Sequence, residues 1–298
     1  MMDQIWTASK FLSGSTSKKI PYEIAHCLKV ALASWGYKNA LITTALIQDK
    51  NFYFQGVSSE FYTLASAFFG VKFTNELVQI ALPQIYQHRP LLNIALYHEL
   101  GHFLDIAHGI INHSLLLTPS EKLSLPSVDF SSLSDSDKKV IAENHRCEYF
   151  ADIFAASYIG QAYKDFLLAF ARDASISWTH PATNDRIALI DAFLEGKPSD
   201  IIDLFQNSLI ALGLHKLEIA FSVPDISEAF DNARPYAIKD ERELHGIFEA
   251  STTYLQQMFE TPKTPWIDAG EAATERVISN LVEKSIRNSM IVDRWRVR

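Results

Sequence analysis

Two histidines four residues apart, with a glutamate directly after the first, constrain this chain more than any other feature. They lie in the stretch Tyr97-His98-Glu99-Leu100-Gly101-His102-Phe103. On a helix, residues i and i+4 sit one turn apart on the same face, so both imidazoles can reach one metal ion. Glu99 is rotated about a hundred degrees from His98. That puts it beside the ion rather than on it, where it can hold and deprotonate a water. From Leu91 to Ala107 the polar exceptions are Asn93, Tyr97, His98, Glu99, His102 and Asp105, and Pro90 is a good first-turn residue. A helix this apolar is buried, and buried imidazoles and carboxylates must be paired or ligated. Gly101 costs up to about 1 kcal/mol against alanine inside a helix. Close approach of another backbone at Gly101 is the usual compensation, and a site built between two helices requires it.

Composition narrows the function classes. The 298 residues are 48% hydrophobic and 21% charged, ordinary for a globular chain with a sizeable core. Acidic residues outnumber basic ones, 35 to 27, for a net charge of −8. That balance argues against nucleic acid as a partner and against a basic membrane-binding face. No apolar run reaches the ~18 residues of a membrane span. The start of the chain has an early acidic residue and no apolar core segment, so no secretory signal is expected. Cys27 and Cys147 are too few for a disulfide framework and fit a reducing compartment. The expectation is a soluble, cytoplasmic protein.

Along the chain, Pro21 opens an amphipathic helix that Gly36 is placed to stop. Residues 40–47, 51–57 and 75–82 read as strands, and 58–73 as a segment that could be a short helix ending at Gly70. Residues 76–82 are expected to border a cleft and offer a free edge to an extended substrate, since peptide backbone pairs with strand backbone. Residues 109–134 show little periodicity and read as an irregular surface excursion, a candidate flap. Asp135-Ser136-Asp137 then caps a long helix to about Ile159. On it Glu148 and Asp152 are again an i, i+4 pair, beside the small residues Ala151, Ala155 and Ala156. A third helix covers 162–172, and a loop with His180-Pro181 runs into a fourth that ends near Gly196. Further helices are expected over 199–213, 225–233, 239–260 and 268–290, with no chemical motif. His26, His215 and His245 read as structural or exposed histidines.

A catalytic zinc site takes three protein ligands and keeps one position open. His98 and His102 supply two. The third is either Glu148, on a helix that could cross the first, or His108, which stands at the metzincin spacing. The second choice needs a sharp turn after the motif helix, at a position held by Asp105 where metzincins have glycine.

Three stretches together resemble a known family. His98-Glu99-Leu100-Gly101-His102, then Glu148-Tyr149-Phe150-Ala151-Asp152, then His180-Pro181 followed by Arg186 occur in the order found in gluzincin metallopeptidases. The group concerned contains the CAAX prenyl endopeptidase and the HtpX stress protease. The resemblance implies one Zn2+ per chain held by His98, His102 and Glu148, with Asp152 orienting a ligand histidine. It implies that His180 faces the cleft, able to hydrogen-bond the tetrahedral intermediate, and that Arg186 is a buried partner for the carboxylates. Typical members are membrane-embedded; this chain has no apolar span and looks like a soluble relative. Glu143 and His145 read as solvated residues of the helix face, and Tyr97 as core packing.

The expected fold is α+β and mostly helical. A zincin-like metallopeptidase domain with a small sheet covers 1–198, and a helical C-terminal region covers 199–298. The expected function is a zinc-dependent metalloendopeptidase acting on a protein or peptide, with Glu99 as general base. The alternative is a latent or regulatory zincin scaffold that binds a protein partner.

Overall fold

The computed structural model describes residues 21–48, 52–56, 59–70, 77–119, 133–171, 174–261 and 269–296. In chain order these form α1 (Tyr22–Ser34), β1 (Leu41–Ile47), β2 (Tyr53–Gly56), α2 (Ser59–Phe69) and β3 (Leu77–Pro83). Then come α3 (Ala95–His108), α4 (Ile110–Leu117), α5 (Asp135–Ile159), α6 (Gln161–Phe170) and α7 (Thr183–Leu194). The described chain closes with α8 (Asp200–Ala211), α9 (Ser227–Asp231), α10 (Glu241–Glu260) and α11 (Glu271–Arg296). The class is α+β, mostly helical, with one small mixed sheet. Among the described residues no helix is long and apolar enough to cross a membrane. The chain divides into two compact units, one of Met1–Leu96 with Ser222–Arg298, the other of Tyr97–Phe221.

In the first unit the strand order is β1-β3-β2. β1 runs parallel to β3 from Leu41↔Leu77 to Ile47↔Pro83, and β2 runs antiparallel from Tyr53↔Ala81 to Gly56↔Val78. β3 is therefore the central strand, with its backbone paired on both sides. The expectation that residues 76–82 offer a free edge is overturned for the described part. The reason lies in its composition: Val78, Ile80, Ala81 and Leu82 are all buried, and a strand buried on both faces belongs inside a sheet. α1 buries Ile24, Cys27, Leu28, Ala31 and Leu32, the spacing of one helical face, and packs against β1, α10 and α11. α10 passes close to the irregular segment before it. A Cβ on Gly246 would stand 2.0 Å from the Ser222 carbonyl oxygen.

The second unit is helical and centres on α5, buried without interruption from Glu148 to Ile159. Its N-cap is Ser134, whose hydroxyl accepts from the Asp137 amide at 3.2 Å, one residue before the expected cap. α6 and α7 pack on α5 and on each other, α4 packs on α5 and α8, and Phe205 of α8 meets Phe150 of α5 edge-on at 5.7 Å. α3 crosses α5 at Gly101, where an added Cβ would lie 2.7 Å from Ala151 Cα and 3.2 Å from Phe154 Cβ. The glycine is what lets the two backbones approach.

The motif helix starts at Ala95, later than Pro90 suggests; residues 90–94 are turns. It does not break at Asp105 but continues to His108, and Gly109 then turns the chain with a φ of 65°. Asp105 serves the next helix instead, its Oδ1 accepting from the Ile111 amide at 2.7 Å. That carboxylate gives α4 the N-terminal partner its short sequence lacks. So Ile110–Leu117, read from sequence as irregular, is a helix with Ile110, Ile111 and Ser114 buried. The rest of the candidate flap, 120–132, lies outside the described residues.

Candidate metal centre

The residues singled out from sequence meet where α3 crosses α5, all within the second unit. Helical spacing puts His98 and His102 on the same face, and their Nε2 atoms are 3.0 Å apart. Glu148 faces them from α5, with Oε2 3.4 Å from His98 Nε2 and Oε1 3.5 Å from His102 Nε2. Among the described residues these three form the one group of histidine, cysteine and carboxylate donors able to hold a metal ion, their ligand atoms within 4.8 Å of one another. His108 is not in it. The straight run of α3 through Asp105 removes the turn that the His108 alternative requires.

The donors fit a cation and fit each other poorly without one. Two imidazole nitrogens face each other across a gap that one proton at most can bridge. Glu148 Oε2 is buried and accepts no hydrogen bond, which ordinarily costs 1–3 kcal/mol or more for a charged group. Burial opposes its charge, but His102, His98 and Arg186 hold the Glu148 carboxyl well below the usual carboxylate range. It is a carboxylate at any physiological pH. Burial also disfavours a charged His98, yet contacts with Asp152 and Glu148 push it up to about 10. A metal ion would take the place of that proton.

Behind the donors sits a second set of partners. Asp152, fully buried one turn after Glu148, is 3.0 Å from His98 Nδ1. Arg186 of α7 grips it with two hydrogen bonds, Nε to Oδ2 at 2.7 Å and a terminal nitrogen to Oδ1 at 2.6 Å. The same terminal nitrogen lies 3.3 Å from Glu148 Oε2. Burial works against the Asp152 charge, and Arg186 and then His98 more than offset it, so its carboxyl is lowered. Arg186 is correspondingly raised by Asp152 despite its own burial.

Tyr163 of α6 completes this set. Its hydroxyl donates to Asp152 Oδ1 at 2.7 Å and lies 2.9 Å from His98 Nδ1. With that proton committed to Asp152, the hydroxyl oxygen can only accept from His98. Nδ1 of His98 therefore carries a proton toward this set, and Nε2 is the nitrogen left facing the cluster, where a metal ion would displace its proton. Burial, then the Asp152 charge, raises the Tyr163 phenol well above its ordinary value.

Glu99 is half-buried on α3 next to His98 and outside the ligand group. His180 stands in the 174–182 loop, its side chain 57% exposed, with Nε2 3.6 Å from Glu148 Oε1 and Nδ1 2.8 Å from the Thr179 hydroxyl. Tyr97 is wholly buried and stacks on Tyr158 at 5.8 Å, as core packing requires. Asp105 also holds Cys147, whose thiol points at Oδ2 at 3.4 Å.

Three residues were missed or misread from sequence. Tyr163 carried one usable signal: with Ala162 and Leu167 it forms the buried face of α6, and a buried phenol needs a polar partner. His145 is not a solvated residue of the helix face but is completely buried, its Nε2 donating to the Ser177 carbonyl at 2.8 Å. Arg146 beside it is buried too, bonding the Ser114 hydroxyl at 3.2 Å and the Thr118 carbonyl at 2.8 Å, and burial drives its guanidinium down to about 10.

Comparison with protein-family models, with curated proteins and with solved structures gave no match.

Proposed function

We propose that this protein is a gluzincin-type zinc metalloendopeptidase with a zincin-like core. The observation that carries the reading is the meeting of His98, His102 and Glu148, with Asp152, Tyr163 and Arg186 bonded behind them. A scaffold that needed only two crossing helices would use apolar residues here, because buried ion pairs are no stabler than well-packed hydrocarbon.

Two imidazoles and one carboxylate are the donor set that suits zinc and leaves room for a reactant. Bound there, zinc supplies a Lewis acid that polarises a peptide carbonyl and makes water acidic enough to ionise near neutral pH. Asp152 and Tyr163 keep His98 in the tautomer that can ligate. Glu99, one residue along α3, accepts the proton of the attacking water and passes it to the leaving amine. His180 lends its Nε2–H to the developing oxyanion, held in that tautomer if the Thr179 hydroxyl donates to Nδ1.

The decisive test is Glu99→Gln. The purified wild-type protein should carry about one zinc per chain and cleave an unfolded protein such as casein. The variant should keep the zinc and lose at least about 10²-fold in cleavage. A folded wild-type chain that takes up no zinc overturns the reading, as does undiminished cleavage by the variant.

A further inference from the structure

His145 raises a question that the metal site does not answer. It is completely buried on α5, one turn before Glu148, and ligates nothing. Its Nδ1 finds no hydrogen-bond partner among the described residues, a cost that leucine at the same place would avoid. The one polar return is the bond from Nε2 to the Ser177 carbonyl. The residue before it repeats the arrangement, the Asn144 side chain donating to the Trp178 carbonyl at 3.1 Å.

Both bonds end in the loop that carries His180. Residues 174–180 are exposed and have no regular structure, so packing does little to hold them. A local turn organises the middle, the Ser177 amide donating to the His180 carbonyl at 2.9 Å and the His180 amide to the Ser177 hydroxyl at 3.0 Å. The Thr183 amide ties the far end by donating to the Ala174 carbonyl at 3.1 Å. Without the α5 side chains that turn would keep its shape but lose its place. The imidazole of His180 is too exposed to be placed by its own contacts, and a functional side chain on a loose loop is poorly aligned for catalysis.

We propose that His145 is a positioning residue: by bonding the Ser177 carbonyl, with Asn144 on the next one, it registers the 174–182 loop on α5 so that His180 faces Glu148. α5 thus carries the third ligand on one turn and the anchor of the oxyanion donor on the turn before. Burial lowers the His145 imidazole, which keeps it neutral, with its single proton on Nε2 where the carbonyl accepts it. Any movement of α5 at the metal would then be shared by His180. The catalytic half of this inference rests on the metallopeptidase reading; the mechanical half does not.

The test uses the full zinc-loaded chain and two readouts, hydrogen exchange of a peptide covering 174–182 and kcat on casein. His145→Leu should speed exchange in that loop about tenfold, the loss of one hydrogen bond, while zinc content and exchange in α3 stay as in wild type. It should lower kcat, and the double variant with His180→Ala should be no slower than His180→Ala alone. His145→Gln, which can donate to the same carbonyl, should recover most of both. If His145→Leu does not fold, His145→Gln beside Asn144→Ala decides the same point, with the loop tight in the first and loosened in the second. Unchanged loop exchange overturns the proposal, and so do losses that multiply in the double variant. Should wild type cleave nothing, the metallopeptidase reading fails, and the exchange measurement alone upholds or overturns the anchoring of the loop.

Discussion

In the 97–221 unit Asp152 is fully buried and Arg186, itself 9% exposed, holds both its oxygens. In the other unit Glu23 is buried at the start of α1, and Arg287 of α11, 61% exposed, reaches its Oε1 from solvent with Nε at 2.8 Å. Each pair joins a buried carboxylate to an arginine, and the surroundings of the two arginines are opposite. Arg186 and Asp152 have both left water, so each depends on the other. Arg287 keeps most of its hydration, and its attraction to Glu23 is screened. Elsewhere in the first unit Arg89 faces Glu275 at 3.6 Å, and the exposed His88 lies 3.8 Å from Glu283. In the second, Glu148, Asp152 and Arg186 meet in the core, while Asp135 with Lys138, Asp191 with Lys164 and Glu195 with Lys197 pair nearer the surface.

The contrast can be broken most severely at Arg186. Arg186→Met takes from buried Asp152 the cation that holds both its oxygens, leaving it Tyr163 and His98 alone, and about 3 kcal/mol of stability should disappear, read by denaturant unfolding of the zinc-free protein. A loss under about 1 kcal/mol would mean that the pair behaves like Glu23 with Arg287 after all.

Next in size are the two helix glycines. Gly246→Ala drives a Cβ into the Ser222 backbone and Gly101→Ala one into Ala151, and each should cost about 1–3 kcal/mol or more. They should differ in kind. Gly101→Ala spreads the two ligand helices and should also reduce zinc retention; Gly246→Ala should leave zinc content at its wild-type level. Equal zinc loss in both would erase the distinction between the units.

An effect that grows only as pH falls belongs to His245, buried on α10, where desolvation and then the nearby His26 bring its imidazole down to about 3. The folded state refuses a proton that the unfolded chain accepts below 6.5. Stability is therefore whole above pH 6.5 and declines as pH falls toward 3, by about 1.4 kcal/mol per pH unit from this group. His245→Phe should flatten the pH dependence of the unfolding midpoint across that window. The same slope in both proteins would assign the acid sensitivity elsewhere. Smallest of all, Arg287→Met should cost about 1 kcal/mol or less, with the midpoint moving still less in high salt; a loss matching that of Arg186→Met would refute the comparison.

Much of the centre was legible because its rules are local. The spacing of His98 and His102 places two imidazoles on one face in any helix, and Glu148 with Asp152 repeats the pattern. The small residue at 101 announced a crossing because nothing else excuses a glycine there. Gly246 carries the tighter contact and announced nothing, since no motif surrounds it and its neighbour is a segment without regular structure. His145 was misread for a related reason. A histidine among Glu143, Asn144 and Arg146 looks like part of a wet face, and only the position of the 174–182 loop makes that face an interior one.

By itself, then, the sequence determined what depends on the period of the backbone: most of the helices, three short strands, the His98/His102 and Glu148/Asp152 pairs and the small residue at 101. Tertiary structure decided what depends on partners far along the chain. It put β3 between β1 and β2, gave Asp105 to α4 as a cap, brought Tyr163 against Asp152, and joined the first described helix to the last two in one unit. Side-chain periodicity is set within a few residues. The choice of which buried group answers which is made by packing across the whole chain, and no local pattern encodes it.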